Sequence, residues 1–541
     1  MRTKLPAIGL ALTTALVLAG CSASAAPDSG TSSETKSGFL ASADTALPTG
    51  GALTVAVDYD SVEAAGLDPQ LADTARSWMI LGLSYETLVG LDETFAPTPG
   101  LAESWEEKSP TEYVFTVREG AAFSNGRAVT PEDVVGSFER LKAAGGAWSA
   151  QAAVISSAEV TGDREVTLRL SKPYSPLFGL LAHVATAILP IAEIESGEID
   201  VKTDIVGSGP YVPTAHVQDQ SWTFERNTHY NGPEYSPDTI ALQVIPDEAA
   251  RLAAIRDGSA DYVVFNNPDA ASLLAQTATA NVVNQQNTDF FYLVLNGADP
   301  DSPLADERVR FAVNAIVDRQ QISDIALAGN ATPTALTPFA LPDACDPADL
   351  PSATISDDEI RALLRDAGAD DLSLTLKTWN SEAGPGAIAQ VIQQQLAEFD
   401  IDLDVQILDD GIWSEALYGD PAVPADADLS ISWFAGYGDA SLVTNWWNTE
   451  TAGFTGRFMA PTPEINALIT QAAETPLGDE RAAVFTDLCA AVDENAQMVA
   501  LVNRPGQVAF RSDALSPTIA TNEGYGNVLR FVSDFRLSEA Q

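Results

Sequence analysis

From Ala52 onward, two hydrophobic periods interleave along the chain, and this confines it to a mixed α/β architecture. Period-two or wholly apolar runs occur at 52–57, 113–117, 166–170, 239–244, 262–265, 290–295, 372–377 and 403–408, each a strand expectation. Helical periodicity is expected around 78–88, 247–257, 308–328 and 387–398, with Gly258 and Gly329 as stops. Thr130-Pro131-Glu132-Asp133 carries the signals of a helix start: a hydroxyl cap, proline at the first helical position and an acid three residues beyond the cap. The succession 372–377, 387–398, 403–408 reads as a βαβ unit with parallel pairing. At 541 residues the chain has room for three to four domain equivalents of about 150 residues, and no repeat of solenoid period is visible.

The first twenty residues read differently. Arg2 and Lys4 precede an uncharged, mostly apolar run from Leu5 to Gly20, too short to span about 30 Å of hydrocarbon and fitting an export signal. The run closes on Leu18-Ala19-Gly20-Cys21, which resembles a bacterial lipobox, with cleavage before Cys21 and lipid on its thiol. Residues 21–49 are rich in Ser, Ala, Thr, Gly and Asp and are expected to form a flexible tether. An exported chain can keep disulfides. Cys345 and Cys489 leave two readings open, a bridge or two separate thiols, since Cys489 lies on an apolar helical face.

Charge excludes further classes. With 28 basic against 76 acidic residues the net charge is −48, which opposes nucleic-acid binding and electrostatic attachment to anionic lipid. No cofactor fingerprint, Walker loop or nucleophile elbow occurs, and His183, His216 and His229 lie in no zinc-binding spacing. No metal site and no cofactor are expected, and weight moves from catalysis to binding. The aromatic residues Trp379, Trp413, Trp433, Phe434, Tyr437, Trp446 and Trp447 fall in stretches expected as loops, where rings call for a partner surface.

Four ordered motifs then resemble one family. They are Pro99-Gly100-Leu101-Ala102-Glu103-Ser104-Trp105 with Tyr113 to Gly120; Phe123-Ser124-Asn125-Gly126 with Val129 to Val135, Ser137 and Phe138; Gly207-Ser208-Gly209-Pro210-Tyr211; and Asp306 to Ala312 with Ala315 to Arg319. Together they resemble the family 5 extracellular solute-binding proteins, the peptide, nickel and opine receptors of ABC importers. The resemblance implies a two-lobed periplasmic-binding-protein-like fold with a hinge between the lobes. Domain I would take 50–85, 206–285 and 505–541, domain II would be 86–205, and domain III 286–504. It implies a monomeric receptor, lipid-anchored on the extracellular face of the cytoplasmic membrane, that captures a small solute and hands it to ABC permease subunits. An oligopeptide receptor of the same family and a lipid-anchored glycan or peptide hydrolase stand as alternatives.

The resemblance also suggests site residues: Trp379, Asn380, Trp413, Trp433, Gly436, Tyr437 and Asp439 from domain III, and Asp58 and Tyr59 from domain I. In the family's peptide receptors an acid in the loop after a domain III strand pairs with the peptide's amino group. Here Gly436 takes that place, and Asp439 matches the family's second, turn-shaping acid. A neutral ligand, an oligosaccharide foremost, is therefore expected over a peptide with a free amino terminus, unless an acid of the Asp58-Tyr59-Asp60 loop replaces the lost partner.

Overall fold

The alternating runs assemble into sheets whose strands come from distant parts of the chain. The computed structural model describes residues 36–37, 39–42, 49–61, 66–72, 74–92, 94–265, 270–274, 276–285, 288–338, 341–369, 371–420, 422–434, 437–452, 454–515, 517–520, 529, 532 and 535–537. Among these the strands form sheets of eight, five and four strands and two small ribbons. The export segment, Cys21 and Gly436 lie outside the described residues. None of the described helices is long and apolar enough to cross a membrane.

The eight-stranded sheet has the order Lys36–Ser37, Ala280–Gln285, Gly506–Arg511, Tyr262–Phe265, Ala52–Val57, Thr239–Val244, Ser221–Arg226 and Tyr211–Val217. Its centre is parallel: Ala52–Val57 runs in register with Thr239–Val244 and beside Tyr262–Phe265. Such strands are buried on both faces, which is why Tyr262-Val263-Val264-Phe265 is a continuous apolar run without alternation. The five-stranded sheet, ordered Asp402–Leu408, Ser373–Trp379, Leu429–Phe434, Phe290–Leu295 and Met498–Asn503, contains the expected parallel βαβ unit. Its helix begins earlier than expected, at Ala383.

The four-stranded sheet is antiparallel and lies wholly within 102–170. Phe115, Phe123, Val134, Phe138, Val166 and Leu168 form its core with the helix Pro131–Ala144. That helix starts as the sequence implies: Thr130 and Asp133 form a reciprocal capping box, worth about 1 kcal/mol, and Gly145 ends it in the left-handed region. Arg118 ties this part to the eight-stranded sheet's body. Its guanidinium holds both oxygens of Glu86 at 3.0 Å and also donates to Asn231.

Four expectations fail for reasons that lie outside the local sequence. The helix expected over 78–88 spans only Ala75–Leu81. The backbone carbonyls of Leu83 and Ser84 accept instead from Tyr211 and Gly209, and a Cβ at Gly207 or Gly209 would collide with Ser84. The helix expected over 308–328 breaks after Ile316, because Asp318 caps a new turn and Arg319 swings in to donate to Ala500 O at 2.9 Å. Part of the expected tether is ordered: Lys36–Ser37 pairs in parallel with Ala280–Gln285, and Phe39–Ser42 pairs with Pro517–Ala520. An open sheet edge supplies the backbone hydrogen bonds that a polar segment cannot generate by burying its own side chains. Lastly, most of the aromatics expected on loops belong to regular elements. Trp379 ends a strand, Trp433 and Phe434 lie in one, Trp413 is helical, and Trp446 and Trp447 sit in a 3₁₀ turn.

The open question of the cysteines closes as a disulfide. Cys345 and Cys489 are bonded with their Cα atoms 6.6 Å apart, joining the segment after Leu341 to the helix Asp479–Asn495.

Candidate functional site

Two strands of the five-stranded sheet run directly into strands of the eight-stranded sheet. Ala280–Gln285 leads to Phe290–Leu295, and Met498–Asn503 leads to Gly506–Arg511. The links lie side by side, with the Arg504 N–H donating to Asp289 O at 2.7 Å. These links are the only covalent connections between the two sheets among the described residues, which makes them the hinge of the two-lobed fold.

A charged cluster lies at these links. The Arg504 guanidinium donates to Glu382 Oε1 at 2.6 Å, approaches Asp289 Oδ2 at 3.9 Å and lies 4.3 Å from the centroid of the Trp433 ring. Glu382 sits at the N-cap position of the helix Ala383–Ala397, and its carboxylate is held by Arg504 rather than by the helix. Burial lowers the Arg504 pKa, but the charges of Glu382, Asp289 and Asp58 outweigh it and hold it above the ordinary arginine value. From the other lobe comes Tyr59, whose hydroxyl donates to Met79 Sδ at 3.2 Å beneath the Arg76 guanidinium. Burial, then the Asp58 charge, pushes its pKa well up. Trp433 thus lies against Arg504, and the neighbouring Asp58 and Tyr59, from a distant part of the sequence, interact with it through charge.

Tyr437 meets residues of the four-stranded body. Its ring stands edge-on to Trp148 at 4.9 Å and 5.8 Å from His183, and burial raises its pKa. Both partners belong to the body of the four-stranded sheet. Other contacts join the same two bodies: Gly179 packs against Asp439 and Leu442, Ser175 donates to Ala473 O through both N–H and hydroxyl, and Lys172 pairs with Glu474 at 2.9 Å. His183 is stacked on Trp148 at 3.9 Å, and burial holds its pKa down at about 3.

The remaining expected residues take other places. Trp379 and Trp413 pack on each other at 4.6 Å within the core of the five-stranded body, and the Trp413 N–H is spent on Ser430 Oγ. Asn380 is exposed and donates to Asp409. Asp439 caps the short helix Ala440–Thr444 and is gripped by Arg481 through both oxygens. Asp60, named as a substitute acid, is consumed inside its own lobe by His216, Trp222 and the Asp219 N–H. Gly436 lies outside the described residues, and Asp289 and Glu382 lie with Arg504 at the crossings, where the Asp58 charge also acts.

Sequence reasoning missed Arg504, Glu382, Asp289 and Arg481. A signal existed for the first: in a chain with only 28 basic residues, an arginine followed by Pro-Gly interrupts two β-type runs. Among the described residues no cluster of His, Cys, Asp or Glu is arranged to hold a metal ion.

Two lobes joined by paired crossings, with aromatic and charged groups from both converging on the hinge, define a solute-binding protein of the clamshell class. Residues 96–455 match the family described as bacterial extracellular solute-binding proteins, family 5 middle region, and the chain belongs to that family. Its members are binding proteins, not enzymes, and serve as extracellular or periplasmic components that deliver small ligands to ABC permeases. The hydrolase alternative is set aside.

The glutathione-binding protein GsiB of Salmonella typhimurium is 27% identical over 404 residues, covering 69% of this chain and 73% of that protein. The probable D,D-dipeptide-binding periplasmic protein DdpA of Escherichia coli is 24% identical over 463 residues, covering 83% and 88%. In fold the chain is similar to the Helicobacter pylori periplasmic binding protein DppA in complex with the peptide STSA, at a TM-score of 0.77 and 21% identity over 91% of this chain and 99% of that one.

Proposed function

We propose that this protein is the lipid-anchored, monomeric receptor of an ABC importer, held by Cys21 on the extracellular face of the cytoplasmic membrane, and that it closes on a short peptide-like solute at the hinge. Domain I takes 50–85, 206–285 and 505–541, domain II 86–205 and domain III 286–504. The strand membership of the sheets supports these borders from 50 onward. Ligand between the lobes stabilises the closed form, because only that form contacts it from both sides.

The observation that carries the ligand class is the cluster at the crossings. Glu382 pairs with the Arg504 guanidinium, Asp289 lies 3.9 Å from it and the Asp58 charge acts on it, beside the ring of Trp433 and with the Arg76 guanidinium over the neighbouring Tyr59. A zwitterionic ligand finds charges of both signs there. The names of GsiB and DdpA point to peptide-like ligands as well. A second reading, the neutral oligosaccharide, keeps two observations in its favour: Asp439 is already paired with Arg481, and the rings of Trp433 and Tyr437 offer apolar surface of the kind uncharged sugars use.

Calorimetry separates the two. Di- to pentapeptides, their N-acetylated forms and neutral oligosaccharides are titrated into the protein. Peptide binding that acetylation abolishes supports the first reading. Saccharide binding without peptide binding replaces it with the second.

A further inference from the structure

Arg481 is 0% exposed, and the polar groups around it come from two separate segments. Its Nη2 donates to Asp439 Oδ1 at 2.6 Å and to Ser441 Oγ at 3.0 Å, and its Nη1 to Asp439 Oδ2 at 3.2 Å. Its Nε faces Asp343 Oδ2 at 3.4 Å. Asp343, in left-handed backbone at φ 66°, stands two residues before Cys345, whose disulfide partner Cys489 lies on the same helix as Arg481. The helix Asp479–Asn495 therefore grips the segment beyond Leu341 twice and the segment after Tyr437 once.

The held segment meets the opposite lobe. Tyr437 contacts Trp148 and His183, a Cβ on Gly438 would collide with Leu91, and Asp439 itself caps the helix that Gly179 packs against. A carboxylate two residues from Tyr437 would ordinarily offer a negative charge to a ligand in the cleft. Here both its oxygens are committed to a fully buried guanidinium, which cancels that charge locally.

We propose that Arg481 is a positioning residue that determines specificity: it fixes the segment 437–442 against the opposite lobe and withdraws Asp439 from recognition of a ligand's cationic group, leaving that task to the hinge carboxylates. This rests on the proposed reading of Trp433 and Tyr437 as ligand-facing. The ligand class affected is ammonium-bearing solutes, with peptides as the probe.

The test compares trialanine with N-acetyl-trialanine by calorimetry, reading the ratio of their affinities in the wild type, Arg481→Lys, Arg481→Met, and Arg481→Met combined with Asp439→Asn. Arg481→Met frees the Asp439 charge, so the ratio moves by about tenfold toward the free amine. Arg481→Lys retains the wild-type ratio, and the double variant returns to it, which a purely structural disturbance would not produce. An unchanged ratio in folded Arg481→Met, no trialanine binding by that variant, or a shift that persists in the double variant overturns the proposal.

Should Arg481→Met fail to fold, Asp439→Asn alone decides. The proposal requires a ratio within about twofold of wild type, and a tenfold loss of preference for the free amine makes Asp439 the ammonium's partner and overturns it. Failure of the wild type alone to bind either probe, with trialanine binding appearing in Arg481→Met, counts against the peptide reading of the native receptor and supports the role of Arg481.

Discussion

Replacing Cys345 and Cys489 together by alanine removes a covalent link between residues 144 apart in sequence. The helix that carries Cys489 keeps Val484, Phe485, Leu488 and Val492 buried, so the native packing survives and the main effect falls on the unfolded chain. Loop-closure entropy for that separation gives a loss of up to about 5 kcal/mol at 25 °C. With a urea dependence of about 3 kcal/mol per molar, the unfolding midpoint of the five-stranded body falls by about 1.7 M. The assay is urea unfolding followed by far-UV circular dichroism, with the wild type run with and without reductant. The lobes unfold in separate steps if two-state behaviour fails, so the transition that moves is the one to read. Reductant should lower the wild-type midpoint to that of the double variant and leave the variant unmoved. Equal midpoints for oxidised and reduced wild type, or full alkylation of both thiols in denatured, unreduced protein, would refute the reasoning.

Burial keeps the His183 pKa at about 3, below the ordinary value of about 6.5. Only the unfolded chain takes a proton between those values, so stability falls as pH drops below about 6.5, by about 2 kcal/mol between pH 7 and 5, and His183→Asn should flatten chemical-denaturation profiles by that amount. Arg504→Met strands Glu382 and Asp289 without their counter-charge and should cost about 3–5 kcal/mol in the same assay, whereas Arg504→Lys, which retains the charge, should cost far less. Gly207→Ala should lower the melting temperature sharply, because a Cβ there meets the Ser84 backbone, which cannot yield as a flexible side chain would. Cys21→Ala should release the protein from the membrane fraction, and retention there would count against the lipid anchor.

What the sequence determined by itself was everything fixed by neighbours along the chain. The capping box at Thr130 and Asp133, the glycine stop at Gly258 and the parallel unit through Ser373–Trp379 and Asp402–Leu408 all follow from local chemistry and period, and the structure contains them. Four ordered motifs were enough for the family, and with it the lobed fold. Tertiary structure decided whatever depended on a partner far away in sequence. The helix after Trp78 stops because Gly209 and Tyr211 claim the carbonyls of Ser84 and Leu83, which no window around Trp78 reveals. The rings of Trp379 and Trp413 looked like a ligand platform but face each other in a core, since periodicity cannot tell a ring that packs inward from one that waits for a ligand. Asp439 reads as a turn-shaping acid, and its partner Arg481, distant in sequence, appears only in space. Arg504 gained its place only when two crossings, themselves far apart along the chain, came within one hydrogen bond of each other. Electrostatic recognition depends on distances through space, and a sequence records only distances along the chain.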